Sequence, residues 1–322
     1  KTKKFLIISF LIITLTLKQS KSFAQTVANF SDYGIISIMY HRFEESKYPS
    51  TNIQLEVFKE QLSIIEIENI KFVNPNEFEN ELVNNKKQRK ILLTIDDGLL
   101  SFYENAWPIL KKKKIPFILF VNTREVGSFN YMDWSQIKEV SSYSHVTIGN
   151  HSHSHEYLVD ENSVIIKKDL IKSMELFKEN LGQNSKFFSY PFGEYSLEFK
   201  KIVKDLGFGY AFGQHSGVID ETKDFWELPR FPINEKYGKI DRFKTLMKTL
   251  PFKYKKIMPE DKYLLKLNNP PNVKIEFMES SKNLKNINCF SDEGNKWEKS
   301  KITLIENLLE IKISEKFLGE RG

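Results

Sequence analysis

Between residues 35 and 232, short apolar runs alternate with longer segments whose apolar residues recur at helical spacing, and few architectures accept that alternation. Ile35 to Tyr40, Ile91 to Ile95, Pro116 to Val121, Val146 to Ile148 and Phe187 to Tyr190 are apolar on nearly every position, as strands buried on both faces of a parallel sheet are. Phe72-Val73 and Phe208 to Phe212 extend the set. Helices are predicted for Leu55 to Ile67, Glu77 to Val83, Phe102 to Leu110, the segment after Asp133 through Val140, Val164 to Leu181 and Glu198 to Leu206. Gly182 and Gly207 stand just past two of these helices, where a left-handed residue ends a helix. Lys111 to Lys114 close another, where cations oppose the helix dipole. Asp133-Trp134-Ser135-Gln136 has the form of a capping box, so Asp133 is read as a cap. Strand and helix in alternation predict an α/β fold with a parallel sheet closed, or nearly closed, into a barrel.

The two ends of the chain read differently. Lys1 to Lys4 followed by Phe5 to Leu17 form a charged stretch and an apolar core shorter than the roughly 20 residues a membrane span needs. Ser22-Phe23-Ala24 supplies small residues for cleavage before Gln25, so residues 1–24 are expected to be an export signal and the protein periplasmic or extracellular. Contact with a membrane is expected only through that segment, if it stays uncleaved. Its five lysines account for most of the formal charge of +6: without them 43 basic residues face 42 acidic ones, which argues against a nucleic-acid partner. From about Ile257, Tyr263 to Leu267, Val273 to Phe277 and Ile302 to Ile313 alternate apolar with polar between Asn-Pro-Pro and Asp-Glu-Gly turns. The expected organisation is therefore a signal at 1–24, a barrel at 25–250 and a small antiparallel β module at 251–322. The lone Cys289 has no partner for an internal disulfide and is read as a small buried hydrophobe.

Chemistry is suggested where the apolar runs stop. Ile91 to Ile95 ends at Asp96-Asp97-Gly98, and two adjacent carboxylates at a strand end repel unless a cation or a shared proton compensates. A plain Asp-Gly turn is the competing reading. Val146 to Asn150 ends at His151-Ser152-His153-Ser154-His155, which holds three of the chain's six histidines. His151 and His155, four apart, suit one divalent ion, and one Asp with two His leaves coordination positions open, as catalytic sites do. His41 follows the first strand, and Tyr190 to Gly193 the Phe187 strand. Parallel barrels gather their working residues at these C-terminal strand ends.

Thr94-Ile95-Asp96-Asp97-Gly98, His151 to His155 and Tyr190-Pro191-Phe192-Gly193-Glu194-Tyr195 together resemble the first three motifs of the polysaccharide deacetylase family, the carbohydrate esterases with a NodB-like domain, over roughly residues 34 to 235. That resemblance implies a distorted (β/α) barrel and metal-dependent removal of N- or O-acetyl groups from a sugar polymer. It makes Asp97, His151 and His155 the metal ligands and Asp96 the general base, and it places an oxyanion or substrate contact at Tyr190, Phe192 and Gly193. The implied cofactor is a divalent metal, zinc by default, with cobalt, nickel or iron suiting the same ligands. The implied partner is an N-acetylated polysaccharide.

The chain departs from the family pattern twice. Ser189 stands where an arginine usually steers the base. Arg230, in Glu227-Leu228-Pro229-Arg230-Phe231-Pro232, either supplies that charge from another strand end or is a surface arginine beside a proline turn. No histidine follows His215 to act as the usual late general acid. Tyr40-His41 instead resembles the rearranged branch of exported poly-N-acetylglucosamine deacetylases, in which the acid comes from the first strand. The expected function is therefore an exported deacetylase, N-acetyl ahead of O-acetyl. The alternative is a non-catalytic glycan-binding or assembly protein with a degenerate site.

Overall fold

The computed structural model describes residues 33–84, 87–278, 282–293 and 296–318. The export-signal reading of residues 1–24 lies outside the described residues. No helix among the described residues is long and apolar enough to cross a membrane.

The apolar runs form one curled sheet. Its strands lie in the order Val218–Ile219, Ile35–Tyr40, Lys90–Ile95, Phe117–Val121, Val146–Asn150, Phe187–Ser189 and Tyr210–Phe212. All neighbours pair in parallel except the first two. Every residue of the Ile35–Tyr40, Lys90–Ile95 and Phe117–Val121 strands is buried, because helices cover one face and the barrel interior the other. Ile36, Ile38, Leu93, Ile95, Leu119 and Val121 pack with the helices, whereas Ile35, Leu92, Ile118 and Phe120 meet Phe212 and Leu228 inside. One segment nearly closes the barrel. Leu228 bridges to Phe212 in parallel, while Phe231–Pro232 pairs in parallel with Ile38 and Met39 of the first strand. Residues 228–232 thus link the last strand to the first, and Arg230 lies at the centre of that link.

The expected helices form at Leu55–Ile67, Phe78–Asn84, Trp107–Lys113, Trp134–Ser141, Ser163–Leu181 and Leu197–Asp205. A wider turn at Phe102–Ala106 precedes Trp107, and Lys114 closes that helix in the left-handed conformation. The capping box is complete: Gln136 N–H donates to Asp133 Oδ1 at 2.8 Å and Asp133 N–H to Gln136 Oε1 at 2.9 Å.

Beyond the barrel, Tyr254–Met258, Val273–Phe277, Leu308–Lys312 and Lys301–Ile305 make a four-stranded antiparallel sheet, in that order, beside a Phe290–Glu293/Lys296–Lys299 hairpin. The strand expected at Tyr263 to Leu267 is absent. Tyr263 N–H is turned back onto Asp261 Oδ1, and Lys266–Asn268 is a short 3-10 turn. Leu264 is half-buried, but Leu265 and Leu267 are 56% and 97% exposed, so the alternation does not bury one face.

Candidate metal centre and acid-base site

Parallel pairing brings the polar strand ends together. Tyr40 pairs with Ile95, and Asp96 N–H donates to the Tyr40 carbonyl, so His41 and Asp96 continue adjacent strands side by side. Val121 pairs with Asn150, which sets His151 one strand beyond the end of Phe117–Val121.

Asp97, His151 and His155 converge. Their ligand atoms lie within 4.8 Å of one another, and Asp97 Oδ1 stands 3.5 Å from Nε2 of each histidine. His151 Nδ1–H donates to the Ser189 carbonyl at 2.7 Å, so in the neutral imidazole the lone pair sits on Nε2, facing Asp97. Asp97 Oδ1 and His151 Nε2 are both buried with no hydrogen-bond partner. Two orphaned acceptors aimed at each other, with a third nitrogen beside them, fit a divalent cation, since buried acceptors without a donor are otherwise costly. Burial opposes ionisation of Asp97, yet the facing His151 and the nearby His41 and His155 hold its carboxyl well below the usual range. Burial and the neighbouring His151 push His155 down to about 4, which leaves it a neutral ligand at pH 7.

Asp96 is handled differently. It is fully buried, and its carboxylate is gripped by Arg230, itself fully buried, through Nη1 to Oδ1 at 2.7 Å and Nη2 to Oδ2 at 2.9 Å. Ser189 joins them: it donates to Asp96 Oδ2 at 3.2 Å and accepts from Arg230 Nη2 at 2.8 Å. Arg230 Nε–H donates to the Gly213 carbonyl, and its guanidinium carbon lies 5.4 Å from the centre of the Phe120 ring. Of the two readings of Arg230, the surface arginine is therefore excluded. Burial disfavours the Asp96 carboxylate, but Arg230, then His151 and His41, keep its pKa below the ordinary value.

The third motif divides. Tyr190 is fully buried, its hydroxyl donates to the Trp226 carbonyl and its N–H to the Phe212 carbonyl. Gly193 N–H donates to the Tyr190 carbonyl. The expectation that Tyr190 and Gly193 offer donors to a substrate is corrected: the sheet and the tight turn after it use both. Phe192 does face the site. Its left-handed backbone (φ 58°) places the ring 4.8 Å from that of His155 and stacked at 4.2 Å on Tyr157.

Sequence reasoning missed the support beneath the histidine loop. Ser152 and His155 both have positive φ, and Asp169 of the Ser163–Leu181 helix accepts from His153 N–H at 2.8 Å and Ser154 N–H at 3.0 Å. Ser173, one turn on, donates to the Asn150 side chain and the Ser152 carbonyl. Asp169 and Ser173 share a helix face at i, i+4, a signal submerged in that helix's many polar residues. His153 turns away onto Thr123 at 2.9 Å, and His215 is exposed.

The sequence model of the family described as polysaccharide deacetylase matches residues 83–211. The poly-beta-1,6-N-acetyl-D-glucosamine N-deacetylase of Staphylococcus epidermidis is 26% identical over 227 residues, covering 66% of this chain and 76% of that one. Its Staphylococcus aureus counterpart is 24% identical over 250 residues, covering 68% and 83%. Among solved structures, IcaB from Ammonifex degensii superposes with a TM-score of 0.60 at 26% identity, covering 67% of this chain and 98% of that one. The Streptococcus pyogenes deacetylase PplD, in complex with acetate, gives 0.61 at 23% identity, covering 68% and 100%, and so bears on the fold alone.

Proposed function

We propose that this chain, whose residues 83–211 match the polysaccharide deacetylase family, hydrolyses the acetamido groups of an N-acetylglucosamine polymer outside the cytoplasm. The observation that carries the reading is the pairing of two sites through one dipeptide. Asp97 faces His151 and His155 with unsatisfied acceptors, while Asp96 beside it is locked onto Arg230.

Asp97, His151 and His155 would hold the divalent cation, with zinc suited to this donor set. When bound, such a cation lowers the pKa of water towards neutrality and polarises an acyl carbonyl. Asp96 accepts the proton of the attacking water as general base, and Arg230 with Ser189 keeps its carboxylate ionised and fixed in rotation. His41, on the neighbouring strand end and close enough for its charge to act on both carboxylates, donates a proton to the departing amine. The carbon–nitrogen bond breaks, and acetate and a free amino sugar leave. Phe192 and Tyr157 form an aromatic wall beside His155 against which a sugar ring can lie. The non-catalytic alternative drew support from the serine at position 189, and the Arg230 contact weakens it.

The full mature chain should release acetate from N-acetylglucosamine oligomers, lose that activity on chelation and regain it with zinc or cobalt. Asp96→Asn or Asp97→Asn with undiminished turnover refutes the reading. Export is tested by mass spectrometry of the secreted protein, with Gln25 expected as the first residue.

A further inference from the structure

Three neighbouring strands of the barrel end on a buried polar atom that no other described residue satisfies. These atoms are Asp97 Oδ1 after Lys90–Ile95, Asn122 Oδ1 after Phe117–Val121, and His151 Nε2 after Val146–Asn150. A cation accounts for the first and third. It does not account for Asn122, which is only 2% exposed.

The direction of the Asn122 side chain follows from the ladder. His151 N–H donates to the Val121 carbonyl at 3.0 Å and Thr123 N–H to the Ser152 carbonyl at 3.2 Å, so residue 122 stays in line with its strand. By alternation its side chain falls on the face of Ile118 and Phe120, which looks into the barrel. Phe120 is itself 5.4 Å from the Arg230 guanidinium carbon and 6.4 Å from the His151 ring. Asn122 therefore stands one layer above Phe120 towards the barrel mouth, on the side of the sheet where Asp96 and His151 meet.

We propose that Asn122 is a specificity residue whose Oδ1 accepts a hydrogen bond from the amide N–H of a bound N-acetyl group. An acetyl ester carries an oxygen without hydrogen at that position, which leaves the buried carbonyl unpaired and opposed by lone pairs, so the site selects amide over ester. This inference rests on the deacetylase reading and narrows its substrate class. A hydroxyl of the sugar could meet the same acceptor, but that contact would serve both substrates equally.

The test compares the zinc-loaded full chain with Asn122→Ala and the near-isosteric Asn122→Leu, using acetate release from an N-acetylglucosamine pentamer and from an O-acetylated glucose pentamer. The expected result is a fall of about tenfold or more in kcat/KM on the amide, with the ester changed by less than about twofold, in whichever variants fold. Equal losses on both substrates, or no loss on the amide, would overturn the proposal by reducing Asn122 to a structural or hydroxyl-binding role. Weakened zinc binding by calorimetry would overturn it too, making Asn122 a ligand. A wild type that releases acetate from neither substrate removes the deacetylase reading itself, and this inference with it.

Discussion

Replacing Arg230 by methionine tests how the base is held. The substitution keeps much of the side-chain volume but strands the fully buried Asp96 carboxylate, which among the described residues then retains only Ser189 as a side-chain hydrogen-bond donor. Breaking a buried pair by removing one partner costs about 3–5 kcal/mol. The lost bond to the Gly213 carbonyl adds about 1 kcal/mol. Against a typical domain stability of about 5–15 kcal/mol, Arg230→Met should fold marginally at neutral pH. Most of that loss comes from an uncompensated charge, so Asp96→Asn in the same chain should return the greater part of it. Urea denaturation of wild type, both single variants and the double variant closes the cycle. The pH dependence has a definite sign. Arg230 depresses the Asp96 pKa in the folded protein, so the pair's stabilisation is present above the unfolded carboxylate pKa and is lost as pH falls through the lower folded value. Without Arg230 the folded pKa rises, and the acid limb of kcat/KM should move to higher pH. Additive single-variant losses with an unmoved acid limb would refute the reasoning.

Three further outcomes follow from the same geometry. Asp169→Ala releases two backbone N–H groups between His151 and His155 and should weaken zinc or cobalt affinity about 10- to 100-fold, measured on metal-free protein, with Asp169→Glu recovering part of it. His41→Ala should lower kcat about 10²- to 10⁴-fold while leaving cation affinity, read by calorimetry, nearly unchanged. Gly149→Ala drives a methyl to 2.3 Å from the Phe120 ring, which is buried against Arg230 and Phe212 and has nowhere to go, so Tm should fall with a loss of about 1–3 kcal/mol.

Most of the barrel was legible because its signals are local. Burial on both faces makes a parallel strand apolar throughout, and Leu55–Ile67 and the Asp133 box were readable from spacing and capping chemistry confined to a single element. Tyr263 to Leu267 misled for the complementary reason. Alternation predicts a strand only where a partner face exists, and Leu265 and Leu267 of that stretch stay exposed. Tyr190 misled because a motif does not say which N–H groups the sheet will use first.

What the sequence by itself determined is which side chains stand at strand ends: His41, Asp96, Asp97, His151 and the residues after Phe187, each marked by the stop of an apolar run. Only the tertiary structure decided what those ends face. Arg230 is flanked by prolines in a stretch that reads as a turn, and its partner lies 134 residues away in the chain. The two meet because residues 228–232 bridge the last strand to the first, and a buried guanidinium there is satisfied by the Asp96 carboxylate, Ser189, Thr94 and the Gly213 carbonyl. Asp169 and Asn122 were silent for the same reason, since a helix face and an orphaned amide acquire meaning only when the strands beside them are in register.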